Sequence, residues 1–531
     1  MKKYISLYLT ILLFAVSSCD SDFEKINTDP NRAGGEVFDP NLILPTIEYA
    51  YGNMNTGYTG PILFQSMWMK ILASTSTGGA NYYSNADKYV ASGSTNSYIQ
   101  SVWNDGFTAA SRAQQMKKLA LEKNMTNLAA VADIMKVLIL SYVSDVYGDI
   151  PYTEALRADE DVTRPKYDSQ QAAYTAMLGD LESALSTLGS GSDGINNDVL
   201  YSGDISKWKK FGYSLMLRMG MRLTKVDAST GQTYVQKALT GGVFASSDDE
   251  AVLPSDNTNG FANSNANALR VVDDVYEVRW SKRLIDFLQS SNDPRLPFIA
   301  EVPGAGLAAN RDGVTAGNNT PAAQIGLPNG YDLKGGATDI TNEPNYPGPT
   351  GSGDDITPIG NYSRPTNIYR DRDAPVFLLT YGEIQLLMAD AAVRTGNTAT
   401  ASDLYKNGVM GAMMSLSKFS GVSISAADAQ AFADANPLDT GSSTDALEMI
   451  NEQYWATTGI LSNYVEAWNN WKRSGYPALT PVQYTGNFSN GQIPRRQVYP
   501  SGESSTNPDN LNAAISSMGG DTWTTRMWWD Q

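Results

Sequence analysis

Apolar side chains recur three and four residues apart in four separate segments, and this spacing most strongly limits how the chain can fold. It places the side chains on one face of an α-helix, whereas a half-buried strand would alternate at every second residue. The four segments begin at Leu128, Tyr174, Trp208 and Phe377. Because clear alternating patterns are scarce elsewhere, the sequence predicts a mainly α fold.

The fourth segment also matches a helical repeat. Small, turn, small, aromatic and small residues follow at steps of 7, 5, 4 and 3, at Ala389, Gly396, Ala401, Tyr405 and Gly408. These are the steps of a tetratricopeptide repeat, where small residues let paired helices approach and the aromatic ring fills the gap. No second unit matches as well, so we expect tetratricopeptide-like repeats that have diverged.

Residues 301–370 differ from the helical segments, since they are dense in Gly, Pro, Asn, Thr and Asp and show no helical period. A long irregular stretch inside a compact domain is usually functional or disordered. The turn-forming residues are evenly spread here, so we predict an ordered loop region with a short hairpin.

The N-terminus resembles a lipoprotein leader. Met1-Lys2-Lys3 precedes an apolar run to Val16, and Ser17-Ser18 leads to Cys19, the only cysteine of 531 residues. The run is too short to cross a bilayer, which takes roughly 20 residues. We therefore predict a signal peptide at 1–18 and lipidation of Cys19; the alternative is an ordinary secretory leader with a chance cysteine.

The stretch that follows, residues 19–35, is acidic and rich in turn formers, which suits a lipidated tether. No low-complexity linker divides the rest of the chain, so we expect one large domain at 36–531.

Composition excludes several classes of protein. The chain has no histidine, and acylation of Cys19 would remove the one thiol, which rules out Ser-His-Asp triads, thiolate catalysis and histidine-based metal sites. Carboxylate chemistry and a calcium site survive, but Asp354-Asp355 and the acidic run at 193–198 lack the ligand order of an EF-hand. We expect no cofactor, no bound metal and no enzymatic activity. The net charge of −17 disfavours nucleic acid as a partner.

Aromatic side chains outside the helical stripes are candidates for ligand binding, because a flat ring packs on apolar C–H faces at little entropic cost. Tyr82 and Tyr83 follow a turn-rich stretch, and we consider them first. The other candidates are Trp68, Trp103, Tyr276 and Trp280. For each of them the alternative is a place in the core.

Three other motifs have simple structural explanations. Residues 147–152 contain a Gly-Asp-x-Pro turn that would end a helix. Residues 473–477 predict a fixed turn beside a tryptophan-rich helix. Trp528 and Trp529 would pin the C-terminus to the body.

Motifs spread over nearly the whole length resemble the SusD/RagB nutrient-binding outer-membrane lipoproteins, in particular their second, SusD-like branch. The matching segments are the leader with Asp22-Phe23-Glu24, then 147–152, 208–211, 217–219, 293–297, 326–330, 381–384, 389–391, 468–471, 473–477, 493–496, 499–500, 519–521 and 528–530.

The resemblance implies tetratricopeptide-like helix pairs with a second lobe of loops and short helices. It also implies a lipid-anchored protein on the cell surface that covers a SusC-like, TonB-dependent transporter of the outer membrane. Such a lid captures an oligosaccharide or a peptide and delivers it to the barrel. An oligosaccharide is our first hypothesis and a peptide the second. The rivals are a lipid-anchored carboxylate glycosidase and a structural adhesin.

Overall fold

The computed structural model describes residues 38–57, 59–75, 82–270, 274–312 and 315–531. Residues 41–531 form one compact unit. The predicted signal peptide and tether at 1–35 lie outside the described residues. Among the residues that the structure does describe, no helix combines the length and apolar character needed to cross a membrane.

Helices dominate the unit. In chain order they are α1 Leu44–Asn55, α2 Gln65–Trp68, α3 Tyr82–Asp87, α4 Thr95–Glu122, α5 Thr126–Tyr147, α6 Gln170–Thr187, α7 Ile205–Arg222, α8 Ala228–Gly241, α9 Ser264–Ala268 and α10 Asp274–Glu277. They continue with α11 Lys282–Ser290, α12 Leu296–Ile299, α13 Leu307–Asp312, α14 Tyr381–Arg394, α15 Thr398–Leu416, α16 Ala426–Ala435, α17 Ser443–Ile460, α18 Tyr464–Ser474, α19 Glu503–Thr506 and α20 Pro508–Met518. The prediction of a mainly α fold is confirmed.

The strands are short and pair two by two. They are β1 Leu72–Ser74, β2 Ala251–Leu253, β3 Val278–Trp280, β4 Ala300–Glu301, β5 Arg364–Pro365 and β6 Val376–Leu379. The antiparallel pairs are β1 with β3, β2 with β6 and β4 with β5.

The long helices pack in consecutive pairs, α4 with α5, α7 with α8 and α14 with α15. We call α4–α8 and α14–α18 the helical lobe. The predicted repeat is confirmed in α14 and α15: Ala389 and Ala401 are fully buried, and a Cβ at Gly408 would lie 2.7 Å from Leu386. Gly396, with φ +76°, forms the turn between the two helices.

One boundary differs from the sequence pattern. The stripe that begins at Phe377 predicts helix there, but Phe377 lies in β6 and the helix begins at Tyr381. Thr380 caps α14, because its side chain accepts a hydrogen bond from the Glu383 amide at 3.3 Å. Pairing with β2 satisfies the backbone of the preceding residues, so they need no helical hydrogen bonds.

A network of buried charges lies within the helical lobe. Arg218 contacts Glu383 at 2.7 Å, and Arg222 pairs with Glu466 and, at 3.3 Å, with Asp145. All five side chains expose less than a tenth of their surface. Burial raises the pKa of Glu466, but the two guanidinium groups outweigh it and lower the pKa overall. These ion pairs link α5, α7, α14 and α18.

The C-terminus joins this network. Trp529 is fully buried, and its indole nitrogen donates to Asp145 at 3.1 Å. Its predicted role as a pin is confirmed. Arg473 is likewise buried and contacts Asp390 at 3.0 Å, and Gly475 ends α18 in the left-handed conformation. The segment is therefore a fixed turn, as predicted.

Residues 296–370 form the loop lobe, built of short helices, turns and the strands β4 and β5. Its described turns are ordered by local hydrogen bonds, and backbone bonds of 2.9 and 2.8 Å between Thr350 and Thr357 close the predicted hairpin. A small core packs beneath it, consisting of Ala73, Leu327, Ile340, Ile359 and Tyr362.

Candidate functional site

The structure places four of the six predicted ligand-binding side chains in the core. Trp68, Trp280 and Tyr83 expose none of their surface, and Trp103 exposes 5%. A ring without an exposed face has nothing on which a ligand can stack. We therefore correct these four assignments to the core: the apolar area of a large ring is more often buried than offered to ligand.

Their surroundings account for this burial. Trp68 packs edge-on against Trp468, with ring centroids 5.3 Å apart. The Trp280 indole donates to the carbonyl of Ile299 at 2.8 Å. Trp103 contacts the edge of Tyr147 at 5.2 Å.

Tyr82 and Tyr276 are the two remaining candidates. Tyr82 is the first residue of α3, and its side chain lies outside the described part of the structure, so its role stays a prediction. Tyr276 is half-buried in α10, with its hydroxyl 2.8 Å from that of Thr357. The guanidinium of Arg279 lies 5.7 Å from its ring centroid. Tyr276 is thus partly exposed, and its hydroxyl is held by Thr357.

Two tyrosines that the sequence analysis missed join Tyr276. Tyr331 and Tyr346 are also half-buried and pack on the small core of the loop lobe. We call Tyr276, Tyr331 and Tyr346 the tyrosine face. Both missed residues are loop aromatics outside any helical stripe, and this is the criterion that selected Tyr82. Applied to residues 301–370, it would have found them.

Hydrogen bonds hold the tyrosine face and the turn next to it. The Tyr346 hydroxyl donates to the carbonyl of Pro358 at 3.0 Å. Next to Tyr331, the Asn329 side chain donates to the carbonyl of Leu72 at 2.9 Å and to the carboxylate of Asp87. The Gly330 amide donates to the same carboxylate at 2.7 Å. These bonds tie the loop lobe to β1 and α3.

Two buried charges lie under the site. Burial raises the pKa of Asp87 to about 6, even though Lys88 and the amide donors favour its ionised form. Burial lowers the pKa of Lys88 to about 8, against the attraction of Asp87 and Asp332. Although the chain has no histidine, two groups beside the site thus titrate near neutral pH.

A second carboxylate, Asp332, accepts hydrogen bonds from the hydroxyls of Tyr484 at 2.6 Å and Thr338 at 2.9 Å. Burial raises its pKa, but these bonds and the Lys334 amide lower it overall. Within the described ranges, no group of three or more acidic, histidine or cysteine side chains is arranged to hold a metal ion. The site thus has three partly exposed tyrosines on turns that hydrogen bonds hold, which suits binding of a ligand with apolar faces.

A SusD-like family model matches residues 39–500, and its description is starch-binding, associating with the outer membrane. None of the curated proteins matches the chain in sequence.

Solved structures are similar over nearly the whole length. A chitin-binding protein is 26% identical, with a TM-score of 0.77, and the match covers 93% of this chain and 100% of that one. A SusD-like protein of Bacteroidetes AC2a is 23% identical, with a TM-score of 0.79 and the same coverage. A SusD homolog from Bacteroides fragilis is 22% identical, with a TM-score of 0.74, again over 93% and 100%. The last two show the shared fold.

Proposed function

Because the chain belongs to the SusD-like family of outer-membrane-associated binding proteins, we propose that it is a cell-surface lipoprotein that binds an oligosaccharide. It passes this ligand to a SusC-like, TonB-dependent transporter and is not an enzyme. The tyrosine face is the observation that carries the proposal, since braced, accessible rings are the platforms on which sugar rings pack. The likeness to a chitin-binding protein supports an oligosaccharide over a peptide.

Calorimetry with chitohexaose, maltoheptaose and a mixture of short peptides tests the ligand class. We expect one of the two oligosaccharides to bind and the peptides not to bind. Product analysis of the same mixtures should show no turnover. Binding by the peptides alone would replace the oligosaccharide with the second hypothesis, and released sugars would favour the lipid-anchored glycosidase.

Single substitutions locate the site. Tyr331→Ala and Tyr346→Ala should each weaken binding by about 1–3 kcal/mol, by analogy with base–aromatic stacking. Tyr234→Ala is the matched control, because Tyr234 is also half-buried but lies on α8 in the helical lobe. Equal losses in all three variants would place the ligand elsewhere.

The lipid anchor rests on the sequence around Cys19, which lies outside the described residues. A lipoprotein's several acyl chains hold it firmly, whereas one chain binds only marginally. In cells lacking the transporter, Cys19→Ala should therefore shift the protein out of the membrane fraction. A variant that stays membrane-bound there would contradict lipidation.

The transporter partner is tested by extraction. If the protein is a lid, mild detergent should recover it together with a large β-barrel protein in stoichiometric amount. Recovery as a free monomer in several mild detergents would argue against a permanent lid.

A further inference from the structure

Asp87 contacts the segment that carries Tyr331 but is itself fully buried. Its two carboxylate oxygens accept from the Asn329 side chain and, at 2.7 Å, from the Gly330 amide. Tyr331 follows Gly330 directly. One buried side chain on α3 thus holds the two residues immediately before a ring of the tyrosine face.

The turn that Asp87 holds has little freedom. Gly330 has φ +94°, which side chains rarely adopt, and a Cβ there would lie 2.9 Å from Val482. The Asn329 side chain also donates to the carbonyl of Leu72 in β1. The turn is therefore fixed between α3, β1 and the loop around Val482, and the direction of Tyr331 follows from it.

Charged side chains lie around the Asp87 carboxylate. Lys88 and Lys70 are the cations that favour its ionised form. Lys88 also donates to the carbonyl of Ser74 at 3.4 Å and lies 5.7 Å from the ring centroid of Tyr484, whose hydroxyl donates to Asp332. Asp332 follows Tyr331, so polar contacts hold both chain neighbours of this tyrosine.

We propose that Asp87 is the positioning residue of the ligand site: its carboxylate fixes the Asn329–Gly330 turn and thereby holds Tyr331 where a ligand can stack on it. The proposal rests on the proposed function, because it assigns Asp87 a role in that same site. Asp87 acts through Tyr331 and does not touch the ligand, since it has no exposed surface.

A double-mutant cycle separates this role from a general structural one. Asp87→Asn and Tyr331→Ala should each weaken binding of chitohexaose, or of maltoheptaose if that is the sugar bound, by about tenfold, the size of a lost charge-assisted hydrogen bond or one stacked ring. If Asp87 acts through Tyr331, the double variant should bind about as well as Tyr331→Ala alone. Additive losses would overturn the proposal.

Thermal melts and a matched control accompany the cycle. Asp339→Asn changes a buried carboxylate that caps a turn of the same loop through the Gly335 and Thr341 amides. These bonds do not reach α3. The Asp339→Asn variant should therefore bind the sugar within about twofold of the unchanged chain, a smaller change than the loss of one hydrogen bond would give. In a purely structural role, Asp87→Asn would lower affinity and melting temperature together, and Asp339→Asn would lower both by the same amount. That result would assign Asp87 to stability alone.

Hydrogen exchange on the ligand-free protein decides the case if neither sugar binds, an outcome that would count against the proposed function only. Asp87→Asn should raise exchange of the Gly330 and Asp332 amides about tenfold and leave α14 and α15 unchanged. If Asp87→Asn misfolds, Asn329→Ala removes the same side-chain bond from the loop side and should give the same local pattern. Unchanged or uniformly raised exchange would overturn the proposal.

Discussion

The helical lobe and the loop lobe are stabilised in different ways. Long helices with close glycine and alanine contacts build the helical lobe, and buried ion pairs such as Arg222 with Glu466 connect them. In the loop lobe, a small core combines Leu327, Ile340, Ile359 and Tyr362 with Ala73 of β1, and carboxylates such as Asp339 hold its turns through backbone amides. The comparison indicates that close helix packing and buried ion pairs hold the first region, while local hydrogen bonds to turns hold the side chains that the second region presents.

Breaking a buried ion pair should give the largest effect. Arg222→Met leaves Asp145 and Glu466 buried without their shared cation, so we expect a loss of about 3–5 kcal/mol in the free energy of unfolding. Denaturant titration measures it. Arg157→Met is the control, because the Arg157–Glu160 pair is exposed and water already screens it. Similar losses in the two variants would show that the contribution of an ion pair to stability does not depend on its burial.

The small core of the loop lobe gives the second largest effect. Leu327 is fully buried, so Leu327→Ala should cost about 2–4 kcal/mol through lost apolar contact and a cavity. Ile325, two residues earlier, is 39% exposed, and Ile325→Ala should cost less than about 1 kcal/mol. Hydrogen exchange should show the Leu327→Ala loss mainly in residues 325–362. A uniform loss over α14 and α15 would mean that the lobes unfold as one.

Acid should act with opposite sign on two buried carboxylates, Asp390 of the helical lobe and Asp87 of α3. Burial raises the pKa of Asp390, but Arg473 and Arg394 outweigh it and lower the pKa to about 2. Its contribution to stability is present above pH 4 and is lost as pH falls toward 2. The pKa of Asp87 is raised to about 6 by burial, so its contribution is greatest below pH 4 and is lost as pH rises through 6.

Two isosteric variants measure this contrast. The stability of Asp390→Asn relative to the unchanged chain should rise by about 2–3 kcal/mol as pH falls from 4 to 2. The relative stability of Asp87→Asn should rise by about 2–3 kcal/mol as pH increases from 4 to 7. Denaturant unfolding at these pH values gives both differences. Curves of the same sign would contradict the assigned pKa directions.

The smallest effect concerns neighbouring tyrosines of α3. Tyr82→Ala should weaken ligand binding by about 1 kcal/mol if that ring stacks on the ligand. The melting temperature should stay unchanged. Tyr83→Ala should instead lower it, because Tyr83 is fully buried. Calorimetry and a thermal melt on each variant separate the two roles. If Tyr82→Ala leaves the affinity unchanged, Tyr82 is not part of the site.

Because the chain lacks histidine and free thiols, the sequence alone predicts that binding depends only weakly on pH between about 6 and 8. The structure limits this prediction, because Asp87 and Lys88 beside the site have pKa values of about 6 and about 8, at the two ends of that pH range. Sequence reasoning treats each side chain at its ordinary pKa. The burial of Asp87 and Lys88 next to the tyrosine face arises only when the chain folds, so the sequence could not reveal these shifted pKa values.

The sequence by itself determined the fold class, the repeat in α14 and α15, and the turns at Gly148 and Gly475, because these follow from local spacing and backbone preference. It also indicated the family, through motifs that keep their order along the chain. Only the tertiary structure decided which aromatic rings are accessible. Trp68 and Tyr331 are both large aromatics, yet contacts between segments far apart in sequence bury the first and leave the second partly exposed. Such contacts leave no local pattern in the sequence.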